Sequence, residues 1–111
     1  MDRFFALTSN PTAIFVWHDR NAYRVVEALE AKGIQIPRDV SVVGYDGLVW
    51  PSTSAHIVTS VRAPLDEMAE RGVAILHQLI SGAQAPISET LSVQFFEGTT
   101  IGPASSTLRL Q

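Results

Sequence analysis

Three residues that could do chemistry stand where apolar runs of the sequence end. Asp46 ends one such run, and His18 and Asp19 follow another, residues 13–17. If both runs are parallel strands, these side chains meet at the carboxyl edge of the sheet, where open α/β sheets bind ligands. The structural alternative is that Asp19 only caps a helix and that Asp46 only begins a turn with Gly47.

The sequence motifs that usually accompany nucleophilic, metal-binding or nucleotide-binding sites are not found with these residues. The sequence contains no G-x-S-x-G turn, no H-E-x-x-H pair and no G-x-G-x-x-G loop. It has no cysteine, and its only lysine is Lys32, which leaves a phosphoacceptor site without its positive partner. We therefore expect no catalytic residue, no metal ion and no cofactor. A small hydrolase that uses His18 and Asp46 remains the enzymatic alternative.

Two tryptophans could contact a ligand or a partner. Trp17 follows the first apolar run, where an indole could stack on the apolar face of a sugar ring or could pack in the core. Trp50 lies in a loop, where a large ring needs cover. Packing within the chain and a subunit interface are both open for Trp50, because tryptophan is enriched at interfaces.

The elements that must position these residues form a strand–helix–strand unit. Residues 13–17 are predicted to be a strand buried on both faces, and residues 40–45 a second one. Between them a helix begins near Asp19, its plausible N-cap, and ends before Gly33. Such a unit places the two strands parallel to each other.

The remaining pattern predicts further elements outside this unit. The expectation is a short helix over 2–8, a third strand over 58–61, a long helix over 64–81, a half-buried strand over 91–95 and a loose tail over 98–111.

Composition limits the function classes that are possible. The chain has 111 residues and a mass of 12.1 kDa, is 46% hydrophobic and carries a net charge of −3, so one folded domain is expected. The acidic balance argues against direct nucleic-acid binding by this chain. No apolar run is long enough to span a membrane, and no secretory signal is seen, so a cytoplasmic location is expected.

Three segments resemble the lactose-repressor/galactose-repressor family of bacterial transcription regulators. They are P-T-A-I-F at 11–15, D-V-S-V-V-G-Y-D at 39–46 and T-S-V-R-A-P at 59–64, and G-T-T at 98–100 matches faintly. The resemblance implies a periplasmic-binding-protein-like fold of type I, of which residues 1–111 would be the C-terminal part, without the helix-turn-helix domain. The expected architecture is a three-layer α/β half-domain with a short parallel sheet.

The resemblance also implies roles for single residues. Asp46 matches the aspartate that hydrogen-bonds ligand hydroxyls, a task that suits a charged acceptor. His18 and Asp19 match the polar pair after the preceding strand, and with Trp17 they complete the expected ligand-binding set. The helix over 20–32 and the loop after Asp46 would form dimer surface, with these candidate contacts: Ala22, Val26 and Trp50.

The expected function is therefore effector binding, with a sugar-like ligand, in a transcription regulator that is not an enzyme. The alternative is a sugar-binding or interaction module without a regulatory role. The chain departs from the family pattern at four positions: His18, Gly47, Ala63 and Glu97. The apolar stripe of the long helix would lack its usual cover, so we expect a homodimer, with exchange of this helix or of the last strand as one route.

Overall fold

The computed structural model describes residues 3, 11–86 and 88–104. Its elements, in chain order, are β1 (Ala13–Phe15), α1 (Asp19–Ala31), β2 (Ser41–Asp46), β3 (Thr59–Arg62), α2 (Leu65–Ile80) and β4 (Gln94–Phe96). The strands follow one another in the sheet as β1-β2-β3-β4. The helix predicted over 2–8 lies, apart from residue 3, outside the described residues.

The strand–helix–strand prediction is confirmed. β1 pairs parallel with β2, and β2 pairs parallel with β3. In this register Phe15 is opposite Val43, and Asp46 is opposite Arg62. The α/β class with a short parallel sheet therefore holds for β1 to β3, and the carboxyl ends of these strands share one edge.

The core lies between α1 and one face of the sheet. α1 turns its apolar stripe to the sheet at helical spacing, and Gly44 lets it approach closely, since an added Cβ would meet Asp19 Oδ1 and Ala22 Cβ. Burying one such apolar side chain fully stabilises the fold by about 1.5–3 kcal/mol. The buried hydrophobic residues are Val16, Ala22, Tyr23, Val26, Leu29, Ile34, Ile36, Val40, Val42 and Val58.

The first strand differs from its prediction. It ends at Phe15 and is not buried on both faces, because Phe15 is 67% exposed and Trp17 is 72% exposed. Only alternate residues turn inward, with Ile14 packed against the core and Val16 within it. The continuous apolar run therefore forms a strand that packs against the core with one face only.

The loose tail predicted from residue 98 is wrong for its first part. Thr100 is fully buried, and its Oγ1 accepts a hydrogen bond from Thr59 N at 2.9 Å and donates one to Val42 O at 2.6 Å. Val42 N in turn donates to Thr100 O at 2.8 Å. This polar segment thus satisfies backbone groups at the amino ends of β2 and β3. Residues 105–111 of the predicted tail lie outside the described residues.

Residues 63–94 form a compact unit separate from residues 1–62 with 95–111. Within it α2 has no buried residue, and its apolar stripe is between 46% and 58% exposed at Leu65, Met68, Leu76 and Leu79. Arg71 binds Glu89 through two guanidinium nitrogens, at 2.9 Å each. In the described part of the chain, neither helix is long and apolar enough to cross a membrane.

Candidate functional site

Asp46 ends β2 with an unusual backbone conformation. Its φ is +108°, and Gly47 follows with φ +79°. A non-glycine residue at positive φ costs on the order of 1–3 kcal/mol, and such residues cluster at functional sites. Among the described residues, no group is hydrogen-bonded to the Asp46 carboxylate, which is partly exposed. Asp46 therefore combines a strained backbone with a carboxylate that no described residue engages, at the carboxyl edge of the sheet.

Asp19 holds the chain beneath that edge. It is 1% exposed, and its carboxylate accepts hydrogen bonds from Ser60 Oγ at 2.8 Å and from Leu48 N at 2.7 Å. Ser60 Oγ also accepts a hydrogen bond from Gly47 N at 3.0 Å. The Asp19 oxygens are enclosed and already used by the protein, which favours a positioning role over the predicted direct contact with ligand.

His18 is the N-cap of α1, so the prediction that Asp19 is the cap is wrong. The Nδ1 atom of His18 accepts a hydrogen bond from Asn21 N at 3.3 Å. This bond assigns the neutral tautomer that carries its proton on Nε2. The ring meets Trp17 edge-on, with centroids 3.9 Å apart and an angle of 66° between the planes. His18 thus offers an N–H donor, with an exposed indole beside it.

These groups stand in a row at the carboxyl ends of three neighbouring strands. The pairing of β1 with β2 ends at Phe15 and Val43, His18 follows β1 as the cap of α1, and Asp46 pairs with Arg62 of β3. Neighbouring strands are about 4.8 Å apart, so the row is roughly 10 Å long. Such a row presents a donor, an acceptor and a cation to a ligand the size of a sugar ring.

Arg62 is a candidate that the sequence pattern did not single out. Its Nε donates to Gly47 O at 3.3 Å, and its guanidinium carbon lies 4.0 Å from the centroid of the Phe96 ring. An added Cβ at Gly47 would lie 2.5 Å from the Arg62 Cβ, so a glycine is required there. The available signal was the pairing of Asp46 with Arg62, which only the strand register reveals.

The predicted dimer residues differ in their exposure to solvent. Ala22 and Val26 are fully buried against the sheet, so their assignment to a dimer surface is wrong. The helical stripe that they form is the core face of α1. Trp50 is 38% exposed, its ring lies 5.8 Å from the guanidinium carbon of Arg20, and Val49 beside it is 59% exposed.

A polar network ties the loop after Asp46 to α1. The Glu27 carboxylate accepts hydrogen bonds from Ser52 Oγ at 2.8 Å and from Thr53 N at 3.1 Å. These bonds, that of Ser52 first, hold the pKa of Glu27 below its ordinary value. One turn further, Glu30 accepts from Ser54 Oγ at 2.9 Å. The loop that carries Trp50 is thus fastened at two points.

Metal binding has no support in the described ranges, which contain no group of three or more histidine, cysteine or acidic side chains able to hold an ion. His18 and Asp46 also form no hydrogen bond with each other in this part of the chain. A hydrolase would need such contact between a base and its partner.

The fold is that of a periplasmic-binding-protein-like domain, and the sequence model of that domain family matches residues 1–100. The probable HTH-type transcriptional repressor ExuR of Bacillus subtilis (strain 168) is 31% identical over 110 residues, which are 99% of this chain and 32% of the repressor. The chain therefore belongs to the LacI/GalR family of transcription regulators, as part of their effector domain, and spans about a third of that relative's length.

Solved structures agree with this assignment. A LacI family transcriptional regulator from Arthrobacter sp. FB24, in complex with lactose, is 26% identical with a TM-score of 0.72, over 82% of this chain and 36% of that one. A dimeric Lac repressor with an 11-residue C-terminal deletion is 27% identical with a TM-score of 0.75, over 82% of this chain and 34% of that one.

Proposed function

We propose that this chain is the effector-binding part of a LacI-type regulator and that it binds a sugar-like, polyhydroxy ligand at the carboxyl edge of β1 to β3. The observation that carries the proposal is Asp46, whose backbone is strained and whose carboxylate lacks a hydrogen-bond donor among the described residues. The lactose complex of the Arthrobacter relative supports the ligand class.

The residues of the row divide the task of binding. The Asp46 carboxylate accepts hydrogen bonds from ligand hydroxyls, and His18 Nε2 donates one to a ligand oxygen. The exposed indole of Trp17 provides a flat apolar surface for a sugar ring. Asp19 keeps the backbone after Asp46 in place from below, through Ser60 and Leu48.

Binding alone becomes regulation if the ligand favours one of two conformations. A ligand shifts such an equilibrium only by its difference in affinity for the two states. In the whole regulator a helix-turn-helix domain, as in an HTH-type repressor such as ExuR, would report that shift to DNA in the cytoplasm. This chain would neither bind the operator by itself nor catalyse a reaction.

The subunit contact that we propose is the loop surface formed by Leu48, Val49 and Trp50. All three side chains are more than a third exposed, and the neighbouring hydrogen bonds to Asp19 and Glu27 fix the loop that presents them. The dimeric Lac repressor among the similar structures supports a homodimer.

Isothermal titration of the 111-residue chain against a panel of sugars tests the proposed function. Wild type should bind at least one member, and Asp46→Asn should weaken that affinity by about 10-fold or more, because it removes a charged acceptor. The matched control is Asp66→Asn, which alters an exposed carboxylate on α2. Equal affinity of wild type and Asp46→Asn would remove Asp46 from the site.

A further inference from the structure

We propose that the effector carries a carboxylate group and that Arg62 binds it, so that the ligand is a sugar acid rather than a neutral sugar. This inference rests on the proposed function, because it concerns the same edge of the sheet. Asp46 pairs with Arg62 at the ends of β2 and β3.

The two opposite charges are level with each other, yet they form no salt bridge in the described part of the chain. Arg62 is held by other groups instead. Its Nε donates to Gly47 O, and the Phe96 ring packs on the guanidinium. Both contacts fix the plane of the guanidinium and leave Asp46 unneutralised.

The contacts also leave one part of the guanidinium open. Only Nε has a hydrogen-bond partner among the described residues, so the two terminal nitrogens still have N–H donors to offer. A pair of terminal nitrogens matches the two oxygens of a carboxylate in spacing and in plane. A cation whose orientation is fixed before the ligand arrives also loses little freedom on binding.

The order of His18, Asp46 and Arg62 along the row predicts which ligand group lies opposite each of them. Hydroxyl groups are directed to Asp46 and His18, and the carboxylate is directed to Arg62 at the end of the row. A neutral sugar would leave the terminal nitrogens unused. A sugar phosphate also pairs with two guanidinium N–H groups, but it places a second negative charge near Asp46, so the singly charged carboxylate is favoured.

Titration with matched ligands tests this assignment. The probes are D-galacturonate and D-glucuronate, their neutral counterparts D-galactose and D-glucose, and D-glucose 6-phosphate. Wild type should bind one of the uronates about 10- to 100-fold more tightly than its neutral counterpart, which is the size expected for a charged hydrogen-bonded contact. Arg62→Gln should abolish that preference, so that the uronate binds no more tightly than its neutral counterpart.

Two further variants keep the test decisive. Arg62→Lys, which retains the charge without the planar pair of donors, should keep only part of the preference and serves if Arg62→Gln does not fold. Arg38→Gln removes a positive charge from the turn before β2 and should change nothing.

The other outcomes separate a failure of the sugar-acid assignment from a failure of the proposed function. Equal binding of uronate and neutral sugar by wild type, with Asp46→Asn losing both, overturns the sugar-acid assignment and keeps the proposed function. Tighter binding of the phosphate than of the uronates overturns it as well. An equal loss of uronate and neutral sugar in Arg62→Gln assigns Arg62 to holding Gly47 only. Binding of no probe contradicts both proposals.

Discussion

Asp19 and Ser60 are joined by a hydrogen bond of 2.8 Å in the interior, although 41 residues separate them in the sequence. One residue begins α1 and the other lies in the middle of β3. Because the Ser60 hydroxyl also accepts from Gly47 N, and Asp19 also accepts from Leu48 N, the pair decides where the backbone runs after Asp46. The geometry of the candidate site is therefore set by two residues that are themselves buried.

Ser60→Ala should lower the free energy of unfolding by about 1–3 kcal/mol, because it leaves a buried carboxylate oxygen and the Gly47 amide without their partner. Urea unfolding followed by circular dichroism measures this change. Ser92→Ala, at an exposed serine, is the control and should have little effect. An Asp19→Ala, Ser60→Ala double-mutant cycle with purely additive losses would contradict the coupling between the two residues.

Gly44→Ala should destabilise the chain by about 1–3 kcal/mol or more, because overpacking forces α1 away from β2. The added methyl group would overlap the Asp19 carboxylate. Gly72→Ala is the matched control, since a Cβ there meets nothing within 4 Å. Within α2 that control should stabilise the chain by about 0.5–1 kcal/mol, so thermal unfolding should shift in opposite directions for the two variants.

The chain should self-associate in solution, because two apolar surfaces are exposed: the loop at Trp50 and the stripe of α2. Light scattering should give a mass above 12.1 kDa at micromolar concentration. Trp50→Ser and Leu76→Glu, made separately, distinguish the two surfaces by which one lowers the mass. A mass near 12 kDa for wild type at every concentration would show that neither surface drives association.

Acid should weaken the attachment of the Trp50 loop to α1. Folding lowers the pKa of Glu27 from 4.5, so its ionised form contributes stability above pH 4.5, and that contribution is lost as the pH falls through the folded pKa. The stability gap between wild type and Glu27→Gln should therefore narrow between pH 7 and pH 3.5. The control is Glu70→Gln, at an exposed residue of α2. A gap independent of pH would exclude this role for Glu27.

The sequence predicted those features of the fold that depend on local pattern. Apolar runs and a terminating glycine were enough to place β1, α1 and β2, and the position of Asp46 at the end of β2 followed from them. The same local pattern assigned the helix cap to Asp19 rather than His18. The pattern does not show that the Asp19 carboxylate is bound by Ser60, which is distant in sequence.

The remaining features of the site depend on register and burial. Arg62 belongs to the candidate site only because β3 pairs with β2 in a register that places Arg62 beside Asp46. Ala22 and Val26 were assigned to the wrong surface because helical spacing identifies a stripe without telling whether the sheet or a partner covers it. Thr100 is polar in a polar segment, and nothing near it in sequence shows that its hydroxyl completes two strands.

The contacts of Thr100 mean that the fold is completed only late in synthesis. The compact unit that holds the site is built from residues 1–62 and 95–111, with residues 63–94 between them. On the ribosome, the backbone N–H groups of Val42 and Thr59 lack their partner until Thr100 is translated, 58 and 41 residues later. A nascent chain that stops before Thr100 can have its entire ligand edge in place and still leave the opposite edge of the same sheet unfinished.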